Sequence, residues 1–289
     1  MMKTIHEGSN MKGTTHVSCI RYQNLNNLSH YHSDHELVYI NKGHALVTIN
    51  EKFFNLNSRK CVFIHSNDIH YISSDEDTII TVLKAENKYF EHIFASKKLL
   101  SPLLSQTSNI EGILNDIHSE LKTSAENGDI MADCIAAQLW IMLLRNEPIL
   151  RDHGSGSGKS STKDIYNEIS KKISNEYNTI TFEEAAKHMH FSEPYFSKIF
   201  HNIFGMTFTQ YLNTLRVAAA VEKIKHGNLS MTEISASCGF NTIRNFNRVF
   251  KNFTGYSPNA LPSNYVFLYS LQDGFGLNPT LNCTEILDW

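Results

Sequence analysis

The chain is poor in the features that mark secreted, membrane-spanning and metal-cluster proteins. Its 289 residues hold only five cysteines, Cys19, Cys61, Cys134, Cys238 and Cys283, with no C-x-x-C pair among them. Such scatter gives neither a disulfide framework nor a zinc-finger pattern, so these read as reduced thiols used mainly in packing. The longest apolar stretch, Ile135 to Leu144, is interrupted by Gln138 and is far too short to cross a bilayer. The opening residues MMKTIHEGSN lack the apolar segment of a secretory signal, and a cytoplasmic place is expected. Charge is also sparse: 19% of residues are Asp, Glu, Lys or Arg, and the net charge is −3.

That net charge argues against a nucleic-acid partner until it is divided by region. Residues 163–264 carry 11 Lys/Arg against 8 Asp/Glu, whereas 1–162 carry 15 against 18 and 265–289 carry none against 3. The basic surplus is confined to one part of the chain, where a polyanion would be met.

A Gly/Ser run, Gly154-Ser155-Gly156-Ser157-Gly158, marks a tether, because it offers no side chains to pack. The expected organisation is therefore a domain at 1–153, a linker at 154–162, a second domain at 163–264 and a tail at 265–289. Residues 17–85 predict short strands at Val17–Tyr22, Leu37–Ile40, Ala45–Ile49, Cys61–His65 and Ile79–Leu83, separated by turn-forming clusters. That spacing predicts a small barrel or sandwich. From Lys88 to Arg145 the apolar period becomes helical. The stripe Ile135, Leu139, Met142 and Leu143 lies on a helix apolar enough to be buried in the core or in a dimer interface.

Beyond the linker, helices follow one another closely. Thr181 with Glu184 reads as a capping box, Ser192 and Ser230 as further N-caps, and His226-Gly227-Asn228 as a C-cap. One arrangement occurs twice. A short helix with small residues (Ala185 and Ala186, then Ile234 and Ala236) precedes a turn and a second helix with aromatics four residues apart (Phe196 and Phe200, then Phe246 and Phe250). Such pairs anchor one helix face and leave the other outward, as a major-groove reader requires.

Residues 181–258 resemble the C-terminal module of the AraC/XylS family of transcriptional regulators. The resemblance is carried by Ser192, Tyr195, Phe196, Ser197, Lys198, Phe200, Gly205, Phe208, Tyr211, Leu212, Arg216 and Ala220, then by Ile234, Gly239, Phe240, Phe246, Phe250, Lys251, Gly255 and Pro258. It implies a C-terminal all-α domain with two helix-turn-helix units. The groove-facing positions it implies are Pro194, Ser197, Lys198 and His201 on the first reading helix, and Ile243, Arg244, Asn245, Asn247, Arg248 and Lys251 on the second. Arg244 and Arg248 are expected to read bases, and Lys198, His201 and Lys251 to meet phosphates. The long helix from Phe208 to Lys225 spans about 27 Å, a spacer of the length that neighbouring grooves need.

Upstream, His30-x-His32-x-x-x-Glu36, Gly43 and His70 resemble the cupin motif, implying an N-terminal cupin-like β-barrel with added α-helices. Arg59-Lys60 and His65-Ser66 depart from the usual second half of that motif. His30, His32, Glu36 and His70, with Tyr39, are read as groups of an effector pocket. No cofactor is assigned, and a divalent metal on His30, His32, Glu36 and His70 stands as the lesser reading. Tyr31, Tyr39, Phe63 and Tyr71 are candidates to stack on a sugar-like effector. The expectation is an effector-responsive DNA-binding regulator, an activator of a small metabolic operon, and not an enzyme. Its expected partners are operator DNA, a small effector such as a sugar, a second copy through Ile135, Leu139, Met142 and Leu143, and RNA polymerase; no membrane is implied. The rivals are a metal-dependent cupin enzyme fused to a DNA-targeting module, and a constitutive binder whose first domain only dimerises.

Overall fold

A computed structural model describes residues 15–94, 97–123, 126–151, 162–263, 265 and 284–289. The Gly/Ser linker expected at 154–162 lies, except for Thr162, outside the described residues, as do Cys283 and most of the 265–289 tail. The described residues form two units, one from 15–151 with 284–289, the other from 162–263 with Tyr265. Among them no helix is long and apolar enough to cross a membrane.

The first unit is built from β1 (Val17–Gln23), β2 (His35–Lys42), β3 (His44–Ile49), β4 (Lys52–Asn57), β5 (Cys61–Ile64), β6 (His70–Ser74) and β7 (Ile79–Ala85). Helices α1 (Asn87–Phe94), α2 (Ile110–Lys122) and α3 (Gly128–Asn146) follow, with a short ribbon of β8 (Lys97–Leu99) and β9 (Ile149–Arg151). A final strand, β10 (Glu285–Leu287), comes from the far end of the chain. The strands form two antiparallel sheets, ordered β10-β1-β7-β2-β5 and β4-β3-β6. Val38, Ile40, Val62, Ile64 and Val82 of the larger sheet pack against Ala45, Val47, Ile49, Leu56 and Ile72 of the smaller. This is the flattened barrel that the strand spacing implied. β4 and β6 were not among the expected strands, because their polar residues dilute the apolar alternation.

The outer face of the larger sheet carries a second core. Cys19, Leu37, Tyr39, Cys61, Phe63 and Leu83 lie beneath Phe90 and Phe94 of α1, Leu114 and Ile117 of α2, and Ala136, Leu139, Trp140 and Leu143 of α3. Successive residues of a strand point to opposite faces, so β2 sends Leu37 and Tyr39 toward the helices and Val38 and Ile40 into the barrel. The stripe expected to dimerise is largely consumed by this core: Leu139 is 1% and Leu143 3% exposed, and Ile135 and Met142 also pack against it. The exposed apolar residues of α3 are instead Ile130, Met131 and Ile141.

The second unit contains α4 (Thr162–Glu176), α5 (Phe182–His188), α6 (Glu193–Phe204), α7 (Phe208–His226), α8 (Met231–Ser237) and α9 (Ile243–Thr254). Its two halves are alike down to the backbone. The capping box of Thr181 with Glu184 at α5 is matched by Ser230 with Glu233 at α8. Ser192 occupies the N-cap position of α6 without a side-chain capping bond, while Thr242 caps α9 by accepting from the Asn245 N–H. Phe191 N–H donates to the Ala186 carbonyl in the first turn, and Phe240 N–H donates to the Ser235 carbonyl in the second.

Each turn passes through the left-handed region, at His190 (φ 56°) and Gly239 (φ 82°). Only the second position demands glycine, since a Cβ there would collide with the Asn178 backbone carbonyl. Gly239→Ala should therefore destabilise this unit by more than the roughly 1 kcal/mol that positive φ alone costs. Chemical denaturation checks this, and a midpoint equal to the parent's would refute the clash.

Candidate nucleic-acid interface and sensor cluster

In each half, the buried aromatic pair sets which residues of the second helix face outward. Phe196, Ile199, Phe200, Ile203 and Phe204 of α6 are buried, as are Phe246, Val249 and Phe250 of α9. An i, i+3, i+4 pattern of burial leaves the complementary stripe in solvent. All ten sequence-predicted DNA contacts lie there: Pro194, Ser197, Lys198 and His201 are exposed on α6, and Ile243, Arg244, Asn245, Asn247, Arg248 and Lys251 on α9. The two stripes differ in chemistry. On α6, Pro194 and Ser197 offer little hydrogen-bonding capacity beside Lys198. The α9 stripe offers two guanidinium groups and two amides.

The α9 residues are also partly ordered among themselves. An Arg248 terminal nitrogen donates to Asn245 Oδ1 at 2.9 Å, and the Asn245 N–H donates to Thr242 Oγ1 at 3.2 Å. Arg248 is thereby directed toward the start of its helix, where backbone N–H groups also face outward. Between the halves, α7 is fixed to the end of α4 by Arg216, whose Nε donates to the Tyr177 carbonyl at 2.8 Å. Most of α7 is buried, as a spacer packed from both sides should be.

In the first unit the structure brings together four of the five expected sensor residues. His30, His32, Glu36 and His70 are all buried, with Glu36 0% exposed. The segment carrying His30 pairs with β6 through reciprocal backbone bonds between His30 and His70, at 3.0 and 2.9 Å. The carboxylate Oε2 of Glu36 lies 2.8 Å from His32 Nε2 and 3.4 Å from His70 Nε2. The fifth residue, Tyr39, is a correction. It lies on the opposite face of β2, under α2, with its hydroxyl donating to Glu111 Oε2 at 3.3 Å. The odd-numbered spacing from Glu36 to Tyr39 forces this. Phe63 likewise faces the helices and not the cluster.

The hydrogen bonds of the cluster fix its tautomers. His30 Nδ1 lies 2.8 Å from the Leu28 carbonyl, His70 Nδ1 2.9 Å from that of Asp68, and His32 Nδ1 3.2 Å from that of Asp34. A carbonyl only accepts, so Nδ1 of His30 and of His70 bears a proton and Nε2 faces inward, while His32 Nε2, 2.8 Å from Glu36 Oε2, donates to that carboxylate. Burial, with His70 and His32 nearby, pushes His30 well below its ordinary value, and burial also lowers His32 despite the pull of Glu36. Burial by itself would raise the Glu36 carboxyl. Lys84 and the His32 and His70 contacts outweigh it and hold the group well below the usual range. The ligating ring nitrogens of His30, His32 and His70 thus lie within 4.8 Å of one another, beside the Glu36 carboxylate. His30 Nε2, His70 Nε2 and Glu36 Oε1 are buried without hydrogen-bond partners. Lys84, opposite Glu36 on β7, was not foreseen, since only strand register places it there.

Two further buried histidines escaped the sequence reading. His35 and His65 lie on the helix side with Phe63 and Phe94. Burial pushes His35 down to about 4 and His65 to about 3. His65 Nε2 accepts the Leu99 N–H at 2.9 Å, which also requires a neutral ring. An unfolded imidazole titrates near 6.5, so stability present above that value is lost as pH falls toward 4, where the unfolded chain binds more protons. The denaturation midpoint should drop between pH 7 and pH 4.5, and His65→Gln, which retains an acceptor, should make the drop shallower. Identical pH profiles for parent and variant would refute the assignment to His65.

Comparison with known proteins follows the same division. Residues 17–140 match the family described as AraC-like ligand binding domain, and residues 185–263 match the family described as helix-turn-helix domain. The chain is 24% identical over 243 residues to the HTH-type transcriptional activator RhaR of Cronobacter sakazakii, a match covering 79% of this chain and 84% of that protein. It is also 24% identical over 224 residues to an uncharacterized HTH-type transcriptional regulator of Staphylococcus aureus, covering 76% of this chain but only 30% of that relative. Among solved structures, an apo ToxT variant from Vibrio cholerae is 15% identical, with 86% of this chain and 97% of that one covered and a TM-score of 0.40.

Proposed function

We propose, on the premise that the chain belongs to the AraC/XylS family of transcriptional regulators, that α6 and α9 enter successive major grooves of operator DNA and that the flattened barrel reports an effector to them. The observation that carries this reading is the exposure of both predicted reading stripes, each on a helix held from behind by a buried aromatic pair. The chain is a DNA-binding regulator and not an enzyme, in keeping with its relatives. Activation of a small metabolic operon, with contact to RNA polymerase, is the direction favoured by an activator among those relatives. A DNA target supports a cytoplasmic place for the protein. A homodimer formed through α3 would use Ile130, Met131 and Ile141, since Leu139 and Leu143 are buried.

Within the interface, Arg244 and Arg248 are assigned to base edges, with Asn245 and Asn247 beside them; Lys198, His201 and Lys251 are assigned to phosphates. A bidentate arginine contributes roughly 1–3 kcal/mol of discrimination, whereas a lysine on phosphate adds affinity that salt removes. The test is binding to the intergenic DNA upstream of the protein's own gene at about 50 and 200 mM salt. The parent should bind tightly and lose affinity steeply with salt. Arg244→Ala with Arg248→Ala should abolish preference over unrelated DNA, and Lys198→Ala should mainly flatten the salt dependence. A double arginine variant indistinguishable from the parent would remove the assignment.

The sensor cluster supports two readings. As an effector pocket, His30, His32, Glu36 and His70 supply polar groups for a small ligand such as a sugar, to be found by screening metabolites for a change in DNA affinity. The convergent ring nitrogens of His30, His32 and His70 favour a second, a divalent first-row metal held by these three, with the unpartnered Glu36 Oε1 beside them as the fourth group. Neutral imidazoles oriented by Nδ1–H bonds to carbonyls are the donor set such ions take. When bound, the ion would supply the positive charge that this buried cluster lacks. Metal analysis of the purified protein should then find about one equivalent, lost in His30→Ala with His70→Ala. A metal-free parent whose thermal unfolding does not respond to added zinc, iron or manganese would leave only the effector-pocket reading.

A further inference from the structure

The last described residues do not belong to the DNA-binding unit that precedes them in sequence. They return to the sensor unit and add β10 to the edge of its larger sheet. β10 pairs antiparallel with β1, setting Gln23 against Glu285, Tyr22 against Ile286 and Arg21 against Leu287. Thr284 anchors the entry: its hydroxyl donates to the Asn24 carbonyl at 3.1 Å and accepts the Asn26 N–H at 3.0 Å. Asp288 meets Lys122 of α2 at 2.7 Å. Trp289 is held by the His118 ring stacked 4.0 Å away and by the Arg21 guanidinium 3.5 Å from its ring centroid. The Trp289 carbonyl accepts from Lys122 at 3.1 Å and faces His118 Nε2 at 2.5 Å.

Strand addition together with a stacked aromatic is how an extended peptide is held by a sheet edge. The contacts also reach into the sensor unit. Arg21 Nε donates to Thr81 Oγ1, Thr81 to Asn41 Oδ1, and Asn41 Nδ2 to Glu111, which also receives the Tyr39 hydroxyl. The residue that stacks on Trp289 is thus one end of a polar chain linking β1, β7, β2 and α2.

We propose that residues 284–289 are an autoinhibitory strap: docked on β1 of their own sensor unit, they tie the DNA-binding unit down at its second end and weaken its hold on DNA. The proposal rests on the DNA-binding reading above. Its sign follows from charge and connectivity. The residues flanking the DNA-binding unit carry a net −6, from −3 in 1–162 and −3 in 265–289, against +3 in 163–264. A unit attached at one end can swivel so that its acidic partner turns away from the duplex. With both ends attached it loses part of that freedom, which adds a cost to orientations that turn the acidic residues away from the duplex. Exposed charges repel appreciably within about 10 Å at 0.1 M salt and much less beyond it, so the inhibition should fade as salt rises.

The chain has only two tryptophans, Trp140 and Trp289, and this makes the strap observable. In Trp140→Phe full-length protein, Trp289 is the sole indole, and it should be shielded from acrylamide quenching. Adding Ile286→Pro, which breaks β10 without changing charge, should expose it. The same strand-breaking change in the otherwise native chain should raise affinity for the upstream intergenic DNA by roughly three- to tenfold at low salt, with the gain shrinking at high salt. Trp289 equally quenched with and without Ile286→Pro would overturn docking, and shielding that depends on protein concentration would replace the intrachain strap by exchange between copies. Shielding lost with DNA affinity unchanged would overturn the inhibitory role. Absence of specific DNA binding in every variant, with Trp289 still shielded in the Trp140→Phe chain, would instead defeat the regulator reading and leave a docked segment without that role.

Discussion

Burial of Phe196 and Phe200 in one half of the DNA-binding unit, and of Phe246 and Phe250 in the other, is the constraint on which the interface depends. A phenylalanine ring buried in a well-packed core resists removal by several kcal/mol. Two rings four residues apart fix both the position of a helix and its rotation about its own axis. Once rotation is fixed, the outward stripe is fixed with it, and Arg244, Asn247, Arg248 and Lys251 need no contacts of their own to be presented. Their freedom is useful, because a side chain that bonds a base or phosphate must not already be committed. Arg248 is the partial exception, held by Asn245 in the free protein.

The sensor unit depends on a different regularity, the alternation of side chains along β2. Even-numbered residues enter the barrel and odd-numbered ones face the helices, so His35, Leu37 and Tyr39 belong to one environment and Glu36, Val38 and Ile40 to another. The consequence is two buried histidine groups on opposite faces of one sheet, each neutral for its own reason. His35 and His65 are neutral because they are packed among aromatics. His30 and His32 are held below their ordinary values because burial outweighs the pull of Glu36. The first group has a stability consequence, and the second has the unsatisfied atoms expected of a ligand site.

The strap joins these two regularities. It uses the edge of β1 that β7 leaves open, beside His118 and Lys122 of α2. The placement of Arg21 is what turns an edge strand into a coupled element, since it contacts Trp289, Thr81 and Asn115 together.

Much of this was written in the sequence. The capping box at Thr181, the N-cap at Ser230, the C-cap at Gly227 and the i, i+4 aromatics are local signals, decided by residues within a turn or two of one another, and the helices form where those signals lie. The reading residues were implied by the family resemblance, and helical period explains why they face outward. The histidines of the sensor cluster were also legible as a set, through the resemblance of His30, His32, Glu36 and His70 to the cupin motif. What the sequence alone could not determine was whatever depends on register or on distant pairing. The face of β2 that takes Tyr39, the approach of Lys84 to Glu36, and the consumption of Leu139 and Leu143 by their own core are set by which strands and helices lie alongside. The docking of Trp289 against His118 and Arg21 brings together residues separated by 171 positions and more. No local preference encodes such a contact, since it exists only once the sheet has an open edge and a helix beside it.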